Sequence, residues 1–276
     1  MKGQSMPADE LVDYLNEGIV RSIQTAGKIL PTSAIPTSYP FQCEWTEFST
    51  ELCIPTVEDL RQYFPPLMGS EVGSNGRPLF YAACLGLLLS QRQRYVEDFS
   101  YDENTPLSTF LSIASYLLDE LEVDPNQPTQ TKGACLRPPL HLVARSSYPS
   151  AVHMLLSRGA YVNLPDREGW TALMACCLPD IPSCDEGGPA IEERVKTVQV
   201  LLKGTSDEHG AIDVDATNYC GYSALHYACE GLNSSLIHCL LENGGADATL
   251  RSAWGQSCVG IIKSQRYINK DQAEKC

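Results

Sequence analysis

Five short segments of this chain begin alike, and their recurrence limits the fold more than any other feature. They are "RPLFYAA" from position 77, "PPLHLVA" from 138, "TALMACC" from 171, "SALHYAC" from 223 and a faded "SCVGIIK" from 257. With the second residue of each as anchor, the units start at 78, 139, 172, 224 and 258, spaced by 61, 33, 52 and 34. A unit that recurs every 33 or 34 residues buries its apolar face by stacking on its neighbours. A second landmark accounts for the long spacings. Apolar pairs stand at Leu117-Leu118, Leu155-Leu156, Leu201-Leu202 and Leu240-Leu241, which lie 39, 16, 29 and 16 residues after their anchors. Units two and four are therefore compact. Unit one carries about 23 extra residues between its landmarks and unit three about 13, with about 5 and 6 more after them.

The residues at each register suit a helix, a turn and a second helix. Thr171, Ser223 and Ser257 precede a helix start, where a hydroxyl accepts an unpaired backbone N–H. Pro78 and Pro139 suit a first turn that needs no donor. Leu79, Leu140, Leu173 and Leu225 are placed to face a neighbouring unit, and the small pairs Ala82-Ala83 and Ala228-Cys229 let helices approach closely. Gly159, Gly204 and Gly244 follow the second helix and are expected to end it in the left-handed conformation. "GAYVNLPD" from 159, "GADATL" from 245 and "VDPNQ" from 123 read as the connecting segments that follow.

This pattern resembles the ankyrin repeat, a helix-turn-helix opened by a Thr-Pro-Leu-His-like motif and followed by a β-turn finger. The resemblance covers residues 72–262 and is closest in units two and four. Arg77 and Pro138 depart from it by replacing the capping hydroxyl, and Leu136 stands where a glycine usually precedes unit two. It implies an all-α ankyrin-repeat solenoid with β-turn fingers. The units lie near 75–130, 135–167, 168–218 and 219–251, with a degenerate one at 252–262 acting as a terminal cap. Residues 1–71 form an N-terminal helical cap or docking segment, and 263–276 a C-terminal tail.

Within the N-terminal segment, Leu11, Leu15, Ile19 and Ile23 recur at helical spacing, with Asp9 and Glu10 near the positive end of the dipole. This predicts a helix within 5–30, followed by the proline-rich connector 31–40. Thr56 and Asp59 form a capping box for a short helix. The insertion at 84–106 lengthens one helix to Phe99 and starts another with Thr105 as cap and Pro106 at its first position. The insertion at 178–192 is an acidic loop feeding a longer second helix.

Composition narrows the function. The net charge of −14 argues against a nucleic-acid surface, which needs clustered Lys and Arg. Residues 1–130 hold 18 acids against 7 bases, and 131–276 hold 16 against 13. No stretch is apolar for long enough to span a bilayer, and "MKGQSMPADELVDYL" reads as neither a secretory signal nor a transit peptide, so the expected compartment is cytoplasm or nucleus. The twelve cysteines are scattered, with neither a zinc spacing nor a secretory context, and are expected to be reduced. A cysteine-based metal-binding or regulatory protein stands as the alternative reading.

No phosphate loop, HExxH or GxSxG motif occurs, and the adjacent carboxylates Glu192-Glu193 and Asp119-Glu120 diverge on a helix. Cys229 and His226 lie three apart on one helix, without an orienting third group. The histidine position itself argues for scaffold. Across the five units it holds Phe80, His141, Met174, His226 and Gly260, an interchange that a space-filling residue tolerates and a base or ligand does not. The resemblance implies that His141 and His226 brace the fold by hydrogen bonds. The expected protein is thus non-enzymatic, without a cofactor, and binds a protein partner as an adaptor or as a subunit of an assembly. The resemblance puts that partner on the concave face, formed by finger tips and first helices. Just before successive anchors stand Arg167, Glu168 and Trp170, then Tyr219 and Tyr222, then Trp254 and Gln256, residue types enriched in interface hot spots. Arg145 is expected on the same face. Trp170 and Trp254 are favoured as contacts over Tyr219, which can pack locally.

Overall fold

The computed structural model describes residues 57, 80–81, 83–84, 106–127, 137–179, 189–204 and 210–273. The expected helix within 5–30, the capping box at Thr56 and Asp59, the helix extension to Phe99 and most of the acidic loop lie outside the described residues. The chain divides into two compact units, Met1–Pro139 and Leu140–Cys276.

In the first unit Phe80, Tyr81, Ala83 and Cys84 are helical and buried, as the "RPLFYAA" register requires. Helix α1, Pro106–Asp119, starts at the expected proline. Its buried residues Phe110, Ile113, Ala114 and Leu117 follow the i, i+3, i+4, i+7 spacing of a single apolar stripe. Beyond it, the Asp124 carboxylate accepts the Asn126 N–H at 2.9 Å, closing a tight turn at the expected "VDPNQ" segment.

The second unit is described with the helix that begins at its boundary. Its elements are α2 (Pro139–Arg145), α3 (Pro149–Ser157), α4 (Ala172–Cys177), α5 (Pro189–Lys203), α6 (Ala224–Glu230), α7 (Ser234–Glu242) and α8 (Cys258–Ala273). Among the described residues the pairing of extended backbone is limited to an isolated bridge between Arg251 and Ser257. First helices pack in one row, α4 on α6 on α8, and second helices in another, α3 on α5 on α7. The rows are joined by α4 against α5 and α6 against α7. Helices of six to nine residues do not persist alone in water, so this stacking is what holds them.

Local chemistry sets the helix starts. The Thr171 hydroxyl accepts the Met174 N–H at 3.4 Å, Ser257 accepts that of Gly260 at 3.3 Å, and the Asn233 side chain accepts that of Leu236 at 3.0 Å. Leu140, Leu173 and Leu225 are buried, as are the first members of the apolar pairs, Leu155, Leu201 and Leu240. The third unit's insertion feeds α5, which at 15 residues is longer than the nine of α3 or α7.

Two expectations need correcting. Gly159 does take the left-handed conformation, at φ +87°, but Gly244 does not; Gly245 takes it instead, at φ +67°. The fourth unit has one extra residue at this helix end. Gly244 is glycine for want of room, since a Cβ there would stand 2.7 Å from the Leu240 carbonyl oxygen and 3.2 Å from Leu202. Gly204 likewise lies outside the left-handed set, and a Cβ on it would meet Leu156 at 2.5 Å. The second correction concerns α8, which runs without a break through position 262 to Ala273. Its sequence offers neither glycine nor proline after Gly260 to stop it.

Candidate interaction face

Three fingers repeat one geometry. Each is a five-residue turn: Asp166–Trp170, Asn218–Tyr222 and Ser252–Gln256. In each the first residue's N–H donates to the fifth residue's carbonyl, at 2.9, 3.0 and 2.9 Å. The first side chain accepts two further backbone N–H groups: Asp166 those of Glu168 and Trp170, Asn218 those of Cys220 and Tyr222, and Ser252 those of Trp254 and Gln256. The fourth residue is a left-handed glycine: Gly169, Gly221 and Gly255, at φ +80°, +71° and +72°.

The fingers are tied in register. The Tyr219 N–H donates to the Glu168 carbonyl at 3.0 Å, and the Ala253 N–H to the Cys220 carbonyl at 2.9 Å, in equivalent positions. Behind them, Asn163 accepts the Asp213 N–H at 2.8 Å and Asp215 accepts the Asp247 N–H at 2.9 Å, again in equivalent positions. The Asp247 carboxyl is held below its ordinary value by the Thr249 hydroxyl and backbone N–H that donate to it. These bonds make the tips a fixed surface.

The residues singled out in the sequence divide on this surface. Tyr219 is 79% exposed and Trp254 is 67% exposed, while Arg167, Glu168 and Gln256 are also exposed. Trp170 is only half-exposed because it stacks on Tyr227, with centroids 4.6 Å apart. Tyr222 links the fingers to the first helices: its ring lies 5.4 Å from Tyr227 and 6.0 Å from Trp254, and its hydroxyl donates to Gln256 Oε1. Tyr219 and Trp254 thus stand outward, while Trp170 is turned inward. Arg145 is committed elsewhere. Its guanidinium donates to the carbonyls of Leu178 at 2.8 Å and Ala175 at 3.4 Å, and so clamps the C-terminal end of α4. Tyr227 and Glu230 on α6 adjoin this face and were not among the expected residues.

The two histidines occupy equivalent places. His141 Nε2 donates to the Leu164 carbonyl at 2.8 Å, two residues before the finger. His226 Nδ1 accepts the Ser223 N–H at 3.2 Å, which leaves the proton on Nε2 facing the carbonyls of Leu250 and Gln256. These carbonyls lie outside strict hydrogen-bond geometry. Burial lowers the His226 pKa, and those carbonyls only partly offset it. The folded state therefore resists a proton that the unfolded chain accepts near its ordinary 6.5. Stability from this source is present above that pH and is lost as pH falls through it toward the lower folded value. Urea titrations should show the wild type losing more stability between about pH 7.5 and about pH 5.5 than His226→Gln, which keeps a capping side chain without the titration. Equal losses would exclude this linkage.

The thiols are placed for packing. Cys84, Cys176, Cys177, Cys229, Cys239 and Cys258 are buried. Burial pushes Cys176 up to about 11, and raises Cys84, Cys177 and Cys239 as well. Cys229 is raised by donating a hydrogen bond to Cys258 and by burial. The raised groups remain thiols near neutral pH, whereas Cys258, which accepts the Cys229 hydrogen bond, is held below its ordinary value. Among the described residues, no group of three or more His, Cys, Asp or Glu is gathered so as to hold a metal ion.

Comparison with known proteins accords with this geometry. The family model for ankyrin repeats in many copies matches residues 190–241, and that for a single ankyrin repeat matches residues 136–167. This chain carries ankyrin repeats. Its relatives include the B-cell lymphoma 3 protein homolog of Mus musculus, 29% identical over 143 residues, which is 51% of this chain and 27% of the relative. The B-cell lymphoma 3 protein of Homo sapiens is 32% identical over 106 residues, 38% of this chain and 20% of the relative. NF-kappa-B inhibitor epsilon of Homo sapiens is 27% identical over 188 residues, 66% of this chain and 35% of the relative. The ankyrin chain thus spans about a third or less of the length of these relatives. Among its described residues no helix is long and apolar enough to cross a membrane.

Proposed function

We propose that this chain is a non-enzymatic ankyrin-repeat module that binds a protein partner across its fingers, as an adaptor or as a subunit of an assembly in the cytoplasm or nucleus. The reading rests on one observation above the others: two aromatic side chains, Tyr219 and Trp254, are exposed by 79% and 67% on adjacent fingers that backbone bonds hold rigid. Large aromatic groups held out in water cost free energy that a partner recovers by covering them, and rigid anchors lose little entropy on binding. Exposed Arg167, Glu168 and Gln256 supply a polar rim, with Tyr222 and Trp170 as half-buried support. Arg145 contributes from behind, by fixing α4. One relative is by name an inhibitor of NF-kappa-B, which supports a binding role for this chain without transferring that target. On this reading residues 1–71 are an N-terminal cap or docking segment, the repeats run from 72 into α8, and the insertions supply further contact surface.

Affinity purification of wild type and Tyr219→Ala/Trp254→Ala tests the face. Each truncation of a hot-spot aromatic costs about 2 kcal/mol, roughly thirtyfold in affinity. The double variant should therefore lose the partners that wild type retains, at unchanged thermal stability. Recovery of the same partners in the same yield would move the binding surface to the insertions.

A further inference from the structure

The aromatic groups on this face form a continuous ladder with an acid at its edge. Trp170 stacks on Tyr227 at 4.6 Å, Tyr227 meets Tyr222 at 5.4 Å, and Tyr222 meets Trp254 edge-on at 6.0 Å and 67°. The two phenols are fixed: Asn218 Nδ2 donates to the Tyr227 hydroxyl at 2.8 Å, and the Tyr222 hydroxyl donates to Gln256. Tyr222 and Trp254 thus make a corner in which Tyr222 is half-buried and Trp254 stands exposed. Glu230 follows Tyr227 by three residues on α6, so both project from one side of that helix. Its carboxyl is half-buried and lies close enough to both tyrosines to disfavour their ionisation.

Among the described residues no cation pairs with Glu230. Burial alone acts on its carboxyl, raising its pKa, and no described hydrogen bond or ion pair reaches it. The described cations of neighbouring elements are engaged elsewhere or exposed: Arg145 and Arg194 donate to the Leu178 carbonyl, Arg251 donates to the Gly255 carbonyl, and Lys263 on α8 is exposed. Between 210 and 262 the acids Asp213, Asp215, Glu230, Glu242 and Asp247 outnumber the one base, Arg251. A partly desolvated carboxylate without a partner is costly, and a cation that docks there recovers that cost. Aromatic faces next to it attract the same cation through their quadrupoles and accommodate its methylene stem.

We propose that the occupant of this face is a basic peptide segment, one of whose Arg or Lys side chains crosses the Tyr222–Trp254 corner and ends at Glu230. The inference rests on the reading of the fingers as a protein-binding face and adds the chemistry of what binds. An acidic segment would bring like charges together around Glu230 and the finger aspartates. A purely apolar one would bury the carboxylate unpaired.

Selection from a random dodecapeptide library against the full chain tests the proposal. Wild type should recover peptides enriched in Arg and Lys, and Glu230→Lys should lose that enrichment. The tightest wild-type peptide, measured by fluorescence anisotropy, should bind Glu230→Gln at least about tenfold more weakly and show a steeper loss with salt on wild type. Glu230→Gln removes a half-buried charge and should be no less stable to urea than wild type, so weakened binding cannot come from unfolding. Peptides without basic enrichment, or equal affinity for Glu230→Gln, would overturn the basic-segment proposal while leaving the aromatic face intact. The same peptides recovered on Tyr219→Ala/Trp254→Ala would instead overturn the face itself. No enrichment on wild type would count against both.

Discussion

Gly221→Ala should destabilise the chain by about 3 kcal/mol, whereas the same change at Gly255 should cost only about 1 kcal/mol. The two glycines have nearly the same backbone, φ +71° and +72°, so an added methyl group meets the same intrinsic left-handed penalty at both. Their surroundings differ. A Cβ on Gly221 would lie 2.6 Å from the Ala253 nitrogen and 3.0 Å from the Ser252 carbonyl carbon, while one on Gly255 meets nothing within 4 Å. Those colliding atoms are backbone of the next finger and cannot rotate aside. Relief requires the fingers to part, which breaks the Ala253 N–H bond to Cys220. Gly169 should fall between, because its Cβ would come within 3.1 Å of the Asn218 Cα. Urea denaturation of the three alanine variants checks the order. Equal losses at Gly221 and Gly255 would mean that the fingers do not approach as closely as the geometry requires.

The same comparison marks how far the sequence could be read. The anchor register was legible because each unit must bury the same positions: Phe80, His141, Met174 and His226 are different chemically but all buried. The finger was harder to see. Its first residue is Asp166, Asn218 or Ser252, six residues before each anchor, and these share only a side-chain oxygen that accepts two N–H groups. Which aromatic stands outward was not legible at all. Trp170 turns inward because Tyr227, on the next unit's first helix, offers a ring to stack on, and that pairing spans 57 residues of chain. Glu230 was missed for a related reason: a carboxylate near a helix end is ordinary until it is known that, among the described residues, no cation pairs with it. The shift from Gly244 to Gly245 came from a single extra residue, which two adjacent glycines conceal.

Leu201→Ala should be the most damaging of the core truncations, with a loss of about 3–4 kcal/mol. Leu201 is fully buried on α5, and α5 packs against α3 on one side and α7 on the other, so a cavity there weakens two junctions. Its neighbour Leu202 is half-exposed, and Leu202→Ala should cost about 1 kcal/mol in proportion to the smaller area it removes from the core. The contrast is sharper than the magnitudes, because both variants delete the same three carbons from adjacent positions of one helix. Position in the stack matters as well as burial. In a quasi-one-dimensional array, stability is shared between neighbouring units, and a weak central junction lets the two sides unfold separately. Leu201→Ala should therefore broaden the urea transition as well as lower its midpoint. Leu240→Ala, equally buried on α7 nearer the end of the second-helix row, should lower the midpoint with less broadening. Circular dichroism across the urea titration separates these outcomes. A transition for Leu201→Ala as steep as wild type would show that the second unit unfolds as one block, with its coupling carried by the first-helix row of α4, α6 and α8.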